Sequence, residues 1–221
     1  MPLRVRSTLM LALLVSLAAP AHAGALRGHV SVPPAPAEET LFRPYAGRAS
    51  SMPMPDRPPR GLVTDTVIYV DSSAAEPASP PPAAHPKLAQ KNQAFDPRVV
   101  VIPAGGTVDF PNLDPIYHNV FSVSPPRRFD LGKYPRGQSR SITFPKPGQV
   151  NVFCDIHSDM AGFILVVPGP HWARPAADGT FELKDLPPGR CRLRAWHPDF
   201  PARVFEVDVP ASGDVTLDVS L

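Results

Sequence analysis

The chain is poor in cysteine, tryptophan and tyrosine: two, two and four among 221 residues. Two cysteines exclude a disulfide-dense scaffold and a multi-cysteine metal cluster. After its first residues the chain also lacks any apolar run of the roughly 20 residues that a membrane-spanning helix needs. Charge of neither sign dominates, with 22 Lys and Arg against 20 Asp and Glu. No basic stripe interrupts that balance, so nothing supports nucleic-acid binding. Apolar residues nowhere keep a helical period over three turns. No nucleophile has a supporting base nearby, and no Gly-rich phosphate loop is present.

Proline, by contrast, is abundant at 32 residues, and it clusters in Pro33–Pro59 and Pro77–Pro86. A residue without an N–H and with φ fixed is kept out of sheet interiors, so both stretches read as extended linkers. Arg4 and Arg6, the apolar run Leu9–Ala19 broken only by Ser16, and Ala21-His22-Ala23 form a three-part secretory signal. Cleavage is expected after Ala23. Removing this leader takes two arginines and no acid, and leaves the charges level. The expected location is periplasmic or secreted, with no transmembrane segment in the mature chain.

The rest of the chain is a series of short, often alternating apolar segments. Strands are predicted at Leu26–Val32, Asp65–Asp71, Arg98–Ile102, Thr107–Phe110, His118–Val123, Ser139–Phe144, Gln149–Cys154 and Phe163–Val167. Further strands are predicted at Thr180–Leu183, Arg190–Trp196, Arg203–Val209 and Asp214–Ser220, and Phe129–Tyr134 reads as a strand edge with its turn. Turn signals at 103–106, 146–148 and Asp178-Gly179 separate them. Many short strands at close spacing predict an all-β protein built as sandwiches. Pro168-Gly169-Pro170 marks a boundary. The expected divisions are 1–23, leader; 24–86, Pro-rich with two strands; 87–168, one sandwich; and 169–221, a second sandwich segment.

One constellation carries chemistry. His118 begins a predicted strand, while Cys154-Asp-Ile-His157-Ser-Asp-Met160 closes another strand and forms the loop after it. Thiolate and thioether suit Cu(I), and imidazole suits both Cu(I) and Cu(II). A Cys-x2-His-x2-Met loop delivers three such ligands at once, and His118 adds a fourth from elsewhere. Zinc also accepts Cys and His, but the thioether and the tighter binding of copper at divalent sites favour copper. A disulfide between Cys154 and Cys191 is the competing reading in an exported protein, and it would abolish the site. Cys191 is expected instead to be a buried apolar strand residue. Met52-Pro-Met54 offers thioethers but reads better as linker. His171-Trp172 and Trp196-His197 have no ligand spacing between them.

Phe95-Asp-Pro-Arg-Val-Val-Val-Ile-Pro-Ala-Gly-Gly-Thr-Val-Asp-Phe-Pro-Asn112, His118-Asn119-Val120 and the ligand loop together resemble the plastocyanin-like cupredoxins, with the loop spacing of amicyanin. The resemblance covers about Lys87 to Val167. It implies a Greek-key sandwich holding one type 1 copper by His118, Cys154, His157 and an axial Met160. By the same resemblance Asn119 lies behind the ligands, ties the two ligand loops together and donates to the cysteine sulfur. Electrons would leave through the exposed edge of His157, in exchange with redox donor and acceptor proteins. Asp155 and Asp159 stand where that family has apolar residues, so an acidic docking rim for a basic partner is expected. Asp178-Gly-Thr-Phe…Leu186-Pro-Pro-Gly-Arg-Cys resembles the carboxypeptidase regulatory-like (prealbumin-like) sandwiches, whose opening strands Gly28-His-Val30 and Thr66–Val70 are similar to. On that likeness the copper unit is inserted into a second sandwich. The function expected is electron transfer without enzymatic activity. The alternatives are copper handling, as a periplasmic chaperone or storage protein, and a non-redox interaction module.

Overall fold

The computed structural model describes residues 24–34, 60–73 and 84–221. The leader, Met52-Pro-Met54 and most of both Pro-rich stretches lie outside them. The described chain is all-β, with no α-helix and one short 3-10 turn at Val63–Asp65. No helix among the described residues is long and apolar enough to cross a membrane.

Among the described residues seventeen strands follow in order: β1 (Gly24–Ser31), β2 (Val67–Ser73), β3 (Ala89–Lys91), β4 (Ala94–Asp96), β5 (Val99–Pro103), β6 (Thr107–Pro111), β7 (His118–Ser122), β8 (Phe129–Tyr134) and β9 (Ser139–Thr143). They continue with β10 (Gly148–Phe153), β11 (Ala161–Val167), β12 (Trp172–Ala173), β13 (Thr180–Leu186), β14 (Gly189–His197), β15 (Phe200–Val209), β16 (Val215–Thr216) and β17 (Val219–Ser220). β3, β4 and β12 have no counterpart among the expected strands, and two expected strands differ in extent for a reason visible in the structure. The strand expected at Asp65 begins at Val67, because Asp65 closes the 3-10 turn and its carboxylate is taken by Arg98. The strand expected over Asp214–Ser220 is split in two where Leu217 and Asp218 bond β1 differently. Leu217 N–H donates to the Arg27 carbonyl, and the Asp218 carboxylate accepts from the His29 amide. Gly28 permits this approach, since a Cβ there would sit 1.8 Å from the Leu217 oxygen.

The first sandwich faces a five-stranded sheet, β5-β11-β10-β7-β8, with a layer made of the β6–β9 and β3–β4 pairs. Bridges Lys87–Asp109 and Gln90–Asn112 join the two parts of that layer. The second sandwich has β13-β1-β16, with β17 also on β1, and β12-β2-β14-β15. β1 pairs with β13, β16 and β17, and β2 pairs with β12 and β14, so the partners of both first strands follow residue 170. The Leu186-Pro-Pro-Gly189 turn carries the chain from one sheet of this sandwich to the other.

Alternation decides which side chain enters which core. On a strand, odd and even residues face opposite ways. In β5, Val100 and Ile102 enter the first core, whereas Val99 and Val101 face outward and are buried too. β11 divides likewise, with Ile164 and Val166 inside and Leu165 and Val167 outside. β2 sends Ile68 and Val70 into the second core and turns Val67 and Tyr69 to meet β5 and β11. The continuous apolar runs therefore mark strands buried on both faces. Four layers stack with three apolar interfaces, and Trp196 completes the middle one.

The middle seam is also ionic. Arg98 holds Asp199 with both nitrogens, at 2.8 and 2.5 Å, and reaches Asp65 at 3.1 Å. The Gly61 amide donates to the same Asp199, and His197 Nδ1 accepts the Asp199 amide while Nε2 donates to the Leu62 carbonyl. Trp196 Nε1 crosses the seam to Gln149 at 2.8 Å.

Candidate metal centre

The ligand residues converge because their strands are neighbours. β7 starts at His118 and lies beside β10, where Phe153 pairs with Phe121. Cys154 follows β10 directly, and the chain turns back into β11 with Phe153 opposite Ala161. The Met160 amide closes this turn by donating to the His157 carbonyl at 3.0 Å. Cys154 Sγ thus lies 3.8 Å from His118 Nδ1 and 3.8 Å from His157 Nδ1. All three donor atoms fall within 4.8 Å of one another. His118 and Cys154 are buried and His157 is half-buried. Met160 is buried in the same core cluster as Cys154.

No disulfide joins Cys154 to Cys191. The two belong to different cores, Cys154 to the first sandwich and Cys191 to the second, so the competing disulfide has no geometry available. Burial works against a Cys154 thiolate, but the His118 hydrogen bond and the amides of Asn119, His157 and Ile156 outweigh it and hold the thiol below its ordinary value. Burial likewise opposes charge on His118, yet Cys154 and Asp114 bring it above the ordinary histidine range. His157 is held below that range by burial and by the neighbouring His118. An uncharged ring with an available lone pair, beside a favoured thiolate, is what a metal ion requires.

Two second-row residues differ from the sequence expectation. The Asn119 side chain donates to Asp130 on β8 at 2.7 Å, and it is the Asn119 backbone amide that serves the sulfur. β7–β8 pairing turns the side chain toward Asp130, which also accepts the Gly132 amide. Asp114 was not singled out at all, yet its carboxylate lies 2.8 Å from His118 Nε2. Its only sequence signal was an acid four residues before a histidine, inside a loop with no periodicity to give it weight.

The rim is mixed rather than purely acidic. Asp155 is exposed and sits 3.8 Å from Lys133, and Asp159 is half-buried. On the same two loops, Leu113, Ile116, Tyr117 and Ile156 are exposed, Tyr117 by 59%. His197 and Trp196 serve the seam, and the His171 carbonyl accepts from the Val70 amide.

No family model matches the chain, and no curated protein does. Solved structures similar to it include cupredoxins. A copper-containing nitrite reductase from Thermus scotoductus is 26% identical at TM-score 0.38, over 52% of this chain and 28% of that one. A purple cupredoxin from Nitrosopumilus maritimus is 24% identical at TM-score 0.31, over 34% and 82%. A reduced amicyanin variant is 20% identical at TM-score 0.36, over 45% and 97%. The chain thus spans little more than a quarter of the nitrite reductase and most of the two small cupredoxins.

Proposed function

We propose that this chain holds one type 1 copper ion through His118, Cys154, His157 and Met160, and carries single electrons between redox proteins. The observation that carries this reading is the meeting of two imidazole Nδ1 atoms and an uncrosslinked sulfur within 4.8 Å, beside a buried thioether. Two imidazoles, a thiolate and a thioether form the donor set that serves both copper oxidation states. Copper bound there would supply a reversible one-electron couple.

The chain's own residues do the rest. Burial of His118, Cys154 and Met160 keeps water from the donors. Backbone amides stabilise the sulfur as an anion, and the closed 154–160 turn fixes the spacing of His157 from Cys154. His157 is the donor residue with solvent access, and it is therefore the exit for electrons. With four ligands no position stays open for a substrate, so the reading is a carrier and not an enzyme. Export through the 1–23 leader fits a chain that keeps its one site cysteine away from disulfide exchange by burial. We further infer that residues 87–168 form a unit inserted into a regulatory-like sandwich, a reading supported by the pairing of β1 and β2 with strands after residue 170.

The test is the visible and EPR spectrum of the Cu(II)-loaded protein. An intense charge-transfer band with a narrow copper hyperfine splitting is expected. A colourless, tetragonal Cu(II) signal overturns the assignment.

A further inference from the structure

We propose that Asp114 is a positioning residue which fixes the His118 ring and biases the site toward Cu(II). The proposal rests on copper occupying the site as described above. An imidazole presents one nitrogen to a metal and needs its proton on the other. Here Nδ1 faces Cys154 Sγ, and Nε2 lies 2.8 Å from Asp114 Oδ2. A carboxylate accepts but does not donate, so it places the ring proton on Nε2 and leaves the lone pair on Nδ1. His118 is wholly buried and Asp114 nearly so, which shields that bond from bulk solvent.

The carboxylate is itself held by a separate piece of the fold. Asn92 and Gln93 form the two-residue turn between β3 and β4, both in the left-handed region at φ 55 and 57. That is the turn type which suits a tight hairpin. Its two amides point at Asp114, from Asn92 to Oδ1 at 2.6 Å and from Gln93 to Oδ2 at 2.8 Å. The Asp114 amide donates to Asn112 Oδ1 at 2.9 Å, and Asn112 Nδ2 donates to the carbonyls of Ile116 and Tyr134. The β3–β4 turn therefore holds the carboxylate by two amides, Asn112 holds the Asp114 backbone, and the carboxylate holds one ring nitrogen. Two backbone amides and one ring nitrogen lie within hydrogen-bond distance of this carboxylate, and hydrogen bonds of that kind favour its ionised form. An anion behind the ring draws its proton outward and makes Nδ1 a stronger donor. The more highly charged Cu(II) gains more from this than Cu(I).

The experiment measures Cu(II) and Cu(I) affinities by competition, together with the reduction potential, for the full chain and for Asp114→Asn and Asp114→Glu. In D114N the Cu(II) affinity is expected to fall about 10–100-fold, the range found when such partners are removed, and the Cu(I) affinity to fall less. Each tenfold difference between them raises the potential by about 59 mV. D114E keeps the charge and is expected to lie nearer the parent. Equal losses for both ions, or an unchanged potential, overturn the proposal. A variant-free reading guards against a D114N chain that fails to fold. The diamagnetic Cu(I) protein is expected to show a downfield, slowly exchanging Nε2–H of His118 by NMR, and absence of that proton overturns the proposal as well. If the parent gives no type 1 spectrum, the copper reading fails and this one with it. A type 1 parent with an unaltered D114N potential sinks this one alone.

Discussion

Each sandwich buries one cysteine to about 1% exposure, and the two surroundings are opposite in kind. Around Cys154 lie two imidazoles and three backbone amides. Around Cys191 lie Leu26, Ile68, Leu193, Val209 and other aliphatic residues, with its Sγ 3.9 Å from the Pro187 carbonyl. The contrast extends to whole cores. Gln90, Asn112, Asp114, His118, Asn119, Ser122 and Ser124 are buried polar residues of the first sandwich, whereas the cluster inside the second is entirely apolar apart from its thiol. Burial alone therefore says little about what a cysteine does. Polar groups inside a fold cost free energy unless they are satisfied, and in the first sandwich Asn112, Asp114 and His118 form one bonded chain that ends at the candidate metal centre.

Exchanging the two cysteines gives the sharpest break. Cys154→Ser is expected to abolish the visible band entirely, while Cys191→Ser keeps it, as absorbance of the Cu(II)-loaded chains would show. If both variants stay coloured, the contrast is void. Next in size is the seam between the sandwiches. Arg98→Met leaves Asp199 buried without its partner and is expected to cost about 3–5 kcal/mol in denaturant unfolding. The same pair sets an acid limit. Burial would raise Asp199, but Arg98 and the Gly61 amide hold it below its ordinary value near 3.8. Its folded value is thus lower than its unfolded one, so this stability is present above about pH 3.8. It is lost as pH falls through the folded value. A flat stability profile across that acidic window would contradict the assignment.

Leu193→Ala, in the apolar second core, is expected to cost about 2–5 kcal/mol while leaving the copper spectrum in place. A shifted spectrum would mean that the two cores are coupled more tightly than their separate clusters indicate. Smallest is the rim. Asp155→Asn removes an exposed pair with Lys133, worth at most about 1 kcal/mol, so stability should hardly move. Combined with Asp159→Asn, it is expected to weaken the salt dependence of electron transfer to a basic partner. An unchanged dependence would leave Leu113, Ile116, Tyr117 and Ile156 as the docking face.

What was legible in the sequence was local. Val99–Ile102 and Phe163–Val167 read as strands from their own residues, and the Cys-x2-His-x2-Met loop marked its candidate ligands through spacing and strand context together. His118 was reached through the neighbouring motif. The remainder depends on which strand lies beside which. Asp114 matters because a hairpin turn at Asn92-Gln93 reaches it from about 20 residues away, and no window of sequence contains both. The seam is hidden for the same reason. A valine at 99 and one at 100 look alike until β2 is seen to pack against only the first. The break at Leu217-Asp218 follows from Gly28, nearly the whole chain distant.

The pairing of β1 with the last strands has a consequence for how the chain folds. His29 and Asp218 are bonded across 189 positions, and Leu26 lies opposite Leu183 and Val215. Contacts so far apart in sequence form late, since ordering the intervening chain must come first. The first sandwich has no such debt to the termini: its strands run from β3 to β11 and pair among themselves. Once formed, it shortens the loop that β1 and β2 must close. A chain emerging from its N-terminus would hold its first two strands unpartnered until the segment after residue 170 appears, by which time the candidate ligand residues 118–160 have already emerged.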